Sequence, residues 1–174
     1  GADATRWYLI ANNPPWKPTL FNEDDLGDIQ RKFFGTLTNT YSFFSLYANI
    51  DRFVNDKELV DYGKRPEIDR WIISKLNGVV EEYETSMDVY DVTRAARAVM
   101  SFTIDELSNW YVRRSRRRFW KSDLTEAKLS AYQTLHECLL TVSKLISPFA
   151  PFIAEDIYRR LTLDTTGAEE SVHL

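Results

Sequence analysis

The sequence predicts an all-α fold, an antiparallel helical bundle. Three observations carry that prediction. Only six glycines and six prolines occur in 174 residues, and long stretches lack both, whereas a turn-rich β architecture needs such breakers at close intervals. Apolar residues recur at three- and four-residue steps, the period of a helix face. The resulting stripes are long and joined by short connections, which is how antiparallel helical neighbours pack. Apolar content of 44% is ample for one domain with a real core.

The elements follow in order. Residues 3–11 form a short helix carrying Trp7, Tyr8 and Ile10. The run Asn12-Asn13-Pro14-Pro15-Trp16-Lys17-Pro18 stops it, because prolines remove donors and push their predecessors out of helical geometry. That segment reads as an extended, semi-rigid connector. Asn22 is a good N-cap, and Glu23, Asp24 and Asp25 fill a first turn where the helix dipole favours anions. Leu26, Ile29, Phe33, Leu37, Tyr41, Phe44 and Ala48 then mark one amphipathic helix of about seven turns. Gly27 and Gly35 are tolerated inside it at roughly 1 kcal/mol each.

Residues 51–65 are polar and irregular. Pro66 suits a first helical position and opens the next helix, whose stripe is Ile68, Ile72, Leu76, Val79 and Tyr83. Asp88 is read as the cap of the following helix, with Asp91 at its third position. The core face of that helix is Val92, Ala95, Ala96, Val99, Phe102, Leu107 and Trp110. Asp123-Leu124-Thr125-Glu126 is a capping-box variant, and the helix behind it carries Ala131, Leu135, Leu139, Val142, Leu145 and Ile146. Ser147-Pro148-Phe149-Ala150-Pro151 bends the chain into a last short helix ending near Leu161. Residues 163–174 are polar and read as disordered or in passage to another domain. The expected organisation is a connector over 1–21, a helical domain over 22–162 and a polar tail over 163–174. The termini look like those of a piece of a longer protein.

Several chemistries find no support. Cys138 is the only cysteine, so no disulfide framework forms, which suits a reducing cytosol. One cysteine and two histidines, His136 and His173, do not make a zinc cluster. No apolar run is long enough for a membrane span. There is no Gly-rich phosphate loop and no nucleophile with a histidine partner nearby. Paired carboxylates such as Glu81-Glu82 sit in solvated runs. The aromatic run Phe33, Phe34, Tyr41, Phe43, Phe44 and Tyr47 follows the helix period and reads as core.

One segment stands apart. Residues 109–121 read Asn-Trp-Tyr-Val-Arg-Arg-Ser-Arg-Arg-Arg-Phe-Trp-Lys, and the chain around them carries a formal net charge of −4. Arg113, Arg114, Arg116, Arg117, Arg118 and Lys121 sit among Trp110, Tyr111, Phe119 and Trp120. Such a patch can grip a polyanion: guanidinium forks bind phosphate, and aromatic or guanidinium planes stack on unpaired bases. Arginines near a helix C-terminus also satisfy carbonyls and pair with neighbouring carboxylates. Composition alone leaves both readings open. The helical period puts Arg113, Arg116, Arg117 and Trp120 on one face and Arg114, Arg118 and Lys121 on another. One set is expected to clamp phosphates and the other to anchor the helix end. Trp110 continues the core stripe, and Phe119 and Trp120 fit either stacking or packing.

Longer stretches of the chain resemble a known family. Gly1-Ala2-Asp3-Ala4-Thr5-Arg6-Trp7-Tyr8-Leu9, with Asn13-Pro14-Pro15-Trp16 after it, resembles the segment that follows the catalytic core in class I aminoacyl-tRNA synthetases of the Ile/Val/Leu group. Pro148-Phe149-Ala150-Pro151-Phe152-Ile153-Ala154-Glu155 resembles a stretch shared by that group, and Ser171-Val172-His173-Leu174 its exit from the domain. Residues 32–51 and the arginine segment 107–120 are similar to the isoleucine-specific members in particular, with the valine-specific members the nearest competitor. The resemblance covers essentially the full chain.

The resemblance implies an α-helical domain that binds the anticodon stem and loop of isoleucine tRNA. It implies a cytoplasmic parent that activates isoleucine with ATP and Mg and charges the tRNA. The RNA-binding residues it points to are Arg113, Arg114, Arg116, Arg117, Arg118, Trp120 and Lys121. The family's His-x-Gly-His motif, its Lys-Met-Ser-Lys-Ser loop and its editing domain are missing here. The expectation is therefore no catalytic residue, no cofactor and no charging activity in this chain alone. Its expected partners are the tRNA and the remainder of the synthetase, in a monomer without membrane contact. A helical protein–protein module whose arginines meet an acidic partner is the reading that competes.

Overall fold

A computed structural model describes residues 1–55, 59–163, 165 and 167–174. The described residues are helices and connections, with no strand among them. In chain order the helices are α1 (Ala2–Ala11), α2 (Glu23–Ile29), α3 (Gly35–Asp51), α4 (Glu67–Asp88), α5 (Val92–Ser101), α6 (Arg113–Phe119), α7 (Glu126–Ile146) and α8 (Pro151–Thr162). Two π-helical stretches, Gln30–Phe34 and Phe102–Val112, join α2 to α3 and α5 to α6 without a break. Part of the irregular stretch 51–65 and of the tail 163–174 lies outside the described residues.

The helices pack as an antiparallel bundle. Neighbours in sequence are neighbours in space, α4 with α5 and α7 with α8, while α3 closes against α7 and the second π stretch. The core runs the length of the bundle, from Trp7, Phe33 and Leu37 through Val99, Phe102 and Leu107 to Phe119, Tyr132 and Leu139. Trp7 is fully buried and sits in an aromatic cluster with Phe33, Phe34 and Phe149. At this apolar content the burial of such rings is the main favourable term, each removing 150–250 Å² from water by roughly general measure.

The chain ends are tied to this body. Thr93 Oγ1 donates to the Ile10 carbonyl (2.8 Å), and Arg97 donates to those of Ala11 (2.7 Å) and Asn12 (2.6 Å), so α5 satisfies the open carbonyls of α1. Tyr8 Oη donates to the Leu20 carbonyl and accepts from the Asn22 amide, which ties the far end of the proline-rich connector back to α1. The tail also folds back: the Glu155 carboxylate accepts from Ser171 Oγ (2.9 Å) and the Val172 amide (3.0 Å). Ser171 and Val172, in the stretch read as disordered or in passage to another domain, are thus bonded to α8.

Two helix starts shift relative to the sequence reading. Asn22 caps α2 as expected, accepting from the Asp24 amide. The cap of α5, however, is Asp91, not Asp88, which is the last residue of α4. The cap of α7 is Thr125 rather than Asp123. In both places two capping residues lie within a turn of each other, and the one whose side-chain oxygen reaches the amide three residues on is the cap.

Candidate nucleic-acid interface

The second π stretch explains how the arginine helix is turned. In it the Arg113 amide reaches back five residues to the Ser108 carbonyl. An i→i+5 bond widens the turn by about one residue. Counting from buried Leu107, an α-helix would bring Trp110 to the core. With the wider turn Tyr111 and Val112 face inward instead, and Trp110 is 47% exposed. Trp110 is therefore not a core residue, contrary to the sequence expectation. The inward series continues through Ser115 and Phe119, where Phe119 meets Tyr132 edge-on at 4.9 Å.

Arg118 is built into the fold. Its Nη1 donates to Asp69 Oδ1 (2.6 Å) and its Nη2 to Asp69 Oδ2 (2.7 Å), a bidentate pair. Nη2 also donates to the Ala127 carbonyl. Asp69 is fully buried and accepts further bonds from Tyr111 Oη (2.8 Å) and Ser130 Oγ. Burial alone would lower the Arg118 pKa, but the hydrogen bond and charge of Asp69 outweigh it and raise it. Burial, with the Asp69 charge beside it, holds the Tyr111 phenol well above its ordinary range. Arg118 therefore stays charged and Tyr111 neutral at neutral pH.

A second buried pair closes the same corner. Lys128, 1% exposed, extends its ammonium to Asp51 Oδ2 and to the Lys121 carbonyl. Tyr132 Oη donates to Asp51 as well. Burial raises the Asp51 pKa, and the bonds from Lys128 and Tyr132 more than reverse that, so its carboxyl stays below the usual range. Together Arg118 and Lys128 fasten the turn between α6 and α7 from both sides. This turn ends the arginine helix and fixes the direction of what it displays.

The other cations face solvent. Arg113, Arg114, Arg116, Arg117 and Lys121 are exposed, as is Trp120 at 58%. Their side chains form no ion pair among the described residues. Arg114 lies over the Trp110 ring, its Cζ 4.3 Å from the centroid. The expected division into one clamping and one anchoring set is corrected: Arg118 alone turns inward, and Arg114 and Lys121 share the outer surface with the rest. The reason is geometric, since an inward arc of Tyr111, Val112, Ser115 and Phe119 leaves only Arg118 at its edge. Outside residues 109–121 the chain has 16 basic and 26 acidic residues, a balance of −10. The outer face of α6 is therefore a cationic strip on a body of net negative charge.

Asp69 and Lys128 organise the site and were absent from the sequence reading. A signal existed for both. Asp69 stands three residues before Ile72 and seven before Leu76, on the apolar stripe of α4. Lys128 stands three before Ala131 and seven before Leu135. A charge at a core position of a helix requires an opposite charge from elsewhere.

Cys138 and His136 belong to the interior. Burial pushes the Cys138 thiol up, leaving it inert. His136 Nε2 lies 3.0 Å from the Leu161 carbonyl and Nδ1 lies 3.2 Å from Asn55 Nδ2. The carbonyl can only accept, so Nε2 carries the proton and Nδ1 accepts from the amide. No group of three or more potential metal ligands occurs among the described residues, and no helix there is long and apolar enough to cross a membrane.

Comparison with known proteins bears on this geometry. Residues 69–174 match the family model described as the anticodon-binding domain of tRNA ligase. The whole chain is 55% identical over 174 residues to an isoleucine–tRNA ligase of Porphyromonas gingivalis, of which it covers 15%. It is 50% identical over 176 residues to the isoleucine–tRNA ligase of Bacteroides thetaiotaomicron, again covering 15%. The corresponding protein of Clostridium novyi is 49% identical over 175 residues, with 17% of it covered. The chain thus spans about a sixth of the length of these relatives.

Proposed function

The chain belongs to the anticodon-binding domain family of tRNA ligases, and from that premise we propose that it binds the anticodon stem and loop of isoleucine tRNA through the outer face of α6. The observation that carries this reading is the strip of exposed cations, Arg113, Arg114, Arg116, Arg117 and Lys121, with no ion-pair partner among the described residues, on a body of opposite charge. Phosphates of the stem meet the guanidinium groups, which supply affinity and salt dependence but little sequence information. Trp120, exposed at the end of the strip, offers a ring on which a loop base can stack. Arg118 acts through position: its bond to Asp69 fixes the helix that displays the others.

The same premise extends to the rest of the machine. The isoleucine assignment rests on the identity to isoleucine–tRNA ligases over the whole chain. The parent then joins isoleucine to its tRNA with ATP and Mg, forming AMP, in the cytoplasm. This domain contributes tRNA selection and holds neither cofactor. Alone it is a monomer without charging activity, and its partners are the tRNA and the remaining synthetase.

The test is a salt titration of binding to isoleucine tRNA, to the same tRNA with an altered anticodon and to an unrelated tRNA. A preference for the first, lost in Arg116→Ala and Arg117→Ala, supports the reading. Equal, steeply salt-dependent binding to all three reduces the domain to an electrostatic grip. No binding at low salt, or a preference for an acidic protein over tRNA, overturns it.

A further inference from the structure

A groove beside the cationic strip has no role in the fold. Glu67, Ile68, Trp71, Trp110 and Arg114 line it, and its volume is about 420 Å³. Ile68 and Trp71 are partly buried and pack against the core, so the groove has a rigid floor. The Trp71 and Trp110 rings stand 6.2 Å apart with their planes tilted by 54°. Arg114 lies over Trp110 and belongs to both the groove and the strip. Glu67 forms no ion pair or hydrogen bond with its side chain among the described residues.

Each part of this arrangement asks for the same guest. An indole left half in water next to a second indole is a surface waiting for an apolar plane. A guanidinium held over an indole is pre-organised, because its rotamer freedom is already reduced before a ligand arrives. A flat heterocycle entering the groove meets the exposed surfaces of two indoles and a guanidinium beside them. A carboxylate at the edge accepts hydrogen bonds only, so it selects a ring that presents N–H donors. Among the four bases, guanine presents two adjacent donors on its Watson–Crick edge, N1–H and N2–H, which match the two oxygens of a carboxylate.

We propose that the groove of Trp71, Trp110, Arg114 and Glu67 takes one unpaired guanine of the RNA loop held by the arginine strip. The inference rests on the RNA-binding reading above and adds to it a stacking site and a base preference. The base packs against the indoles, Glu67 accepts from its N1–H and N2–H, and Arg114 neutralises the phosphate that follows. The groove adjoins the strip through Arg114, so a strand whose backbone tracks the strip reaches it without a second binding event.

The experiment uses the chain as it stands and the anticodon stem-loop of isoleucine tRNA. Each loop base is made abasic in turn, and each loop guanine is replaced by inosine, which lacks the N2 amino group. Trp110→Ala, which removes a stacking ring and the support under Arg114, is expected to weaken binding about tenfold. One abasic position should cost the native chain a similar factor and cost Trp110→Ala nothing more. Inosine at that position should weaken binding to the native chain and not to Glu67→Gln, whose surface location leaves folding intact. If the native chain binds while Trp110→Ala and Glu67→Gln bind equally well, the groove has no part in recognition. If the native chain itself fails to bind the stem-loop at low salt, the RNA-binding reading and the groove fall together.

Discussion

The two sides of helix α6 carry the same residue type under opposite conditions. Arg117 and Arg118 are adjacent in sequence. Arg118 lies with 18% of its side chain exposed, locked to a fully buried carboxylate. Arg117 is exposed and has no ion-pair partner among the described residues. The inner arginine stabilises the corner between α6 and α7, where an uncompensated charge would be severely unfavourable. The outer ones add little to folding and repel one another, since surface charges interact weakly through water. On the function proposed above, the inner pair holds the helix that displays the strip, and the outer set, on a body of net −10, supplies the grip on an anionic guest.

The comparison breaks most visibly at Asp69. Asp69→Ala leaves Arg118 and Tyr111 facing an empty interior, and urea denaturation should show a loss of about 3–5 kcal/mol. A change below 1 kcal/mol would mean the network is not the anchor. Arg118→Lys sharpens the same point. Lysine keeps the charge but cannot make the bidentate bond and reach the Ala127 carbonyl at once, so it should cost about 2 kcal/mol.

A weaker, pH-linked effect lies at the far side of α7. Burial holds the His136 imidazole below its ordinary 6.5, against the opposing pull of the Leu161 bond and the Glu137 charge. Between the folded and unfolded pKa values the unfolded chain binds more protons. Stability is therefore complete above pH 6.5 and declines as the pH falls below it, by at most about 1.4 kcal/mol per pH unit. Urea midpoints at pH 7.5 and 5.5 should differ for the native chain, and the difference should shrink in His136→Gln. Smallest of all is the outer face: Arg113→Gln, Arg116→Gln and Arg117→Gln should each move stability by no more than about 0.5 kcal/mol in the same denaturation experiment.

These contrasts also show where the sequence was readable. The bundle was legible because Ile72, Leu76, Val99, Leu135 and Leu139 keep the helical period and because Asn22 announces its helix. The cation strip was legible because six charges of one sign within 13 residues are rare in an acidic chain. The facing of that strip was not. It depends on the π turn over Phe102–Val112, which rotates Trp110 outward and has no local signature, because its wider hydrogen bonds are accepted in exchange for placing both Tyr111 and Val112 in the core. The first π stretch acts alike at Phe33 and Phe34, adjacent residues that are both buried. The partner of Arg118 was not legible either. Asp69 lies 49 residues away, and only the packing of α4 against α7 and the second π stretch brings the two together.

The most direct test of the account compares inner and outer arginines in one binding experiment. Affinity for isoleucine tRNA is measured against salt concentration for the native chain, for the triple variant Arg113→Gln, Arg116→Gln, Arg117→Gln, and for Arg118→Lys at a temperature where it remains folded. The slope of log affinity against log salt should fall by about 2–3 in the triple variant, one phosphate contact per lost cation at about 0.7–0.9 each, and stay near the native value in Arg118→Lys. A slope unchanged by the triple variant, or reduced as strongly by Arg118→Lys, would contradict the assignment of grip to the outer face and support to the inner one.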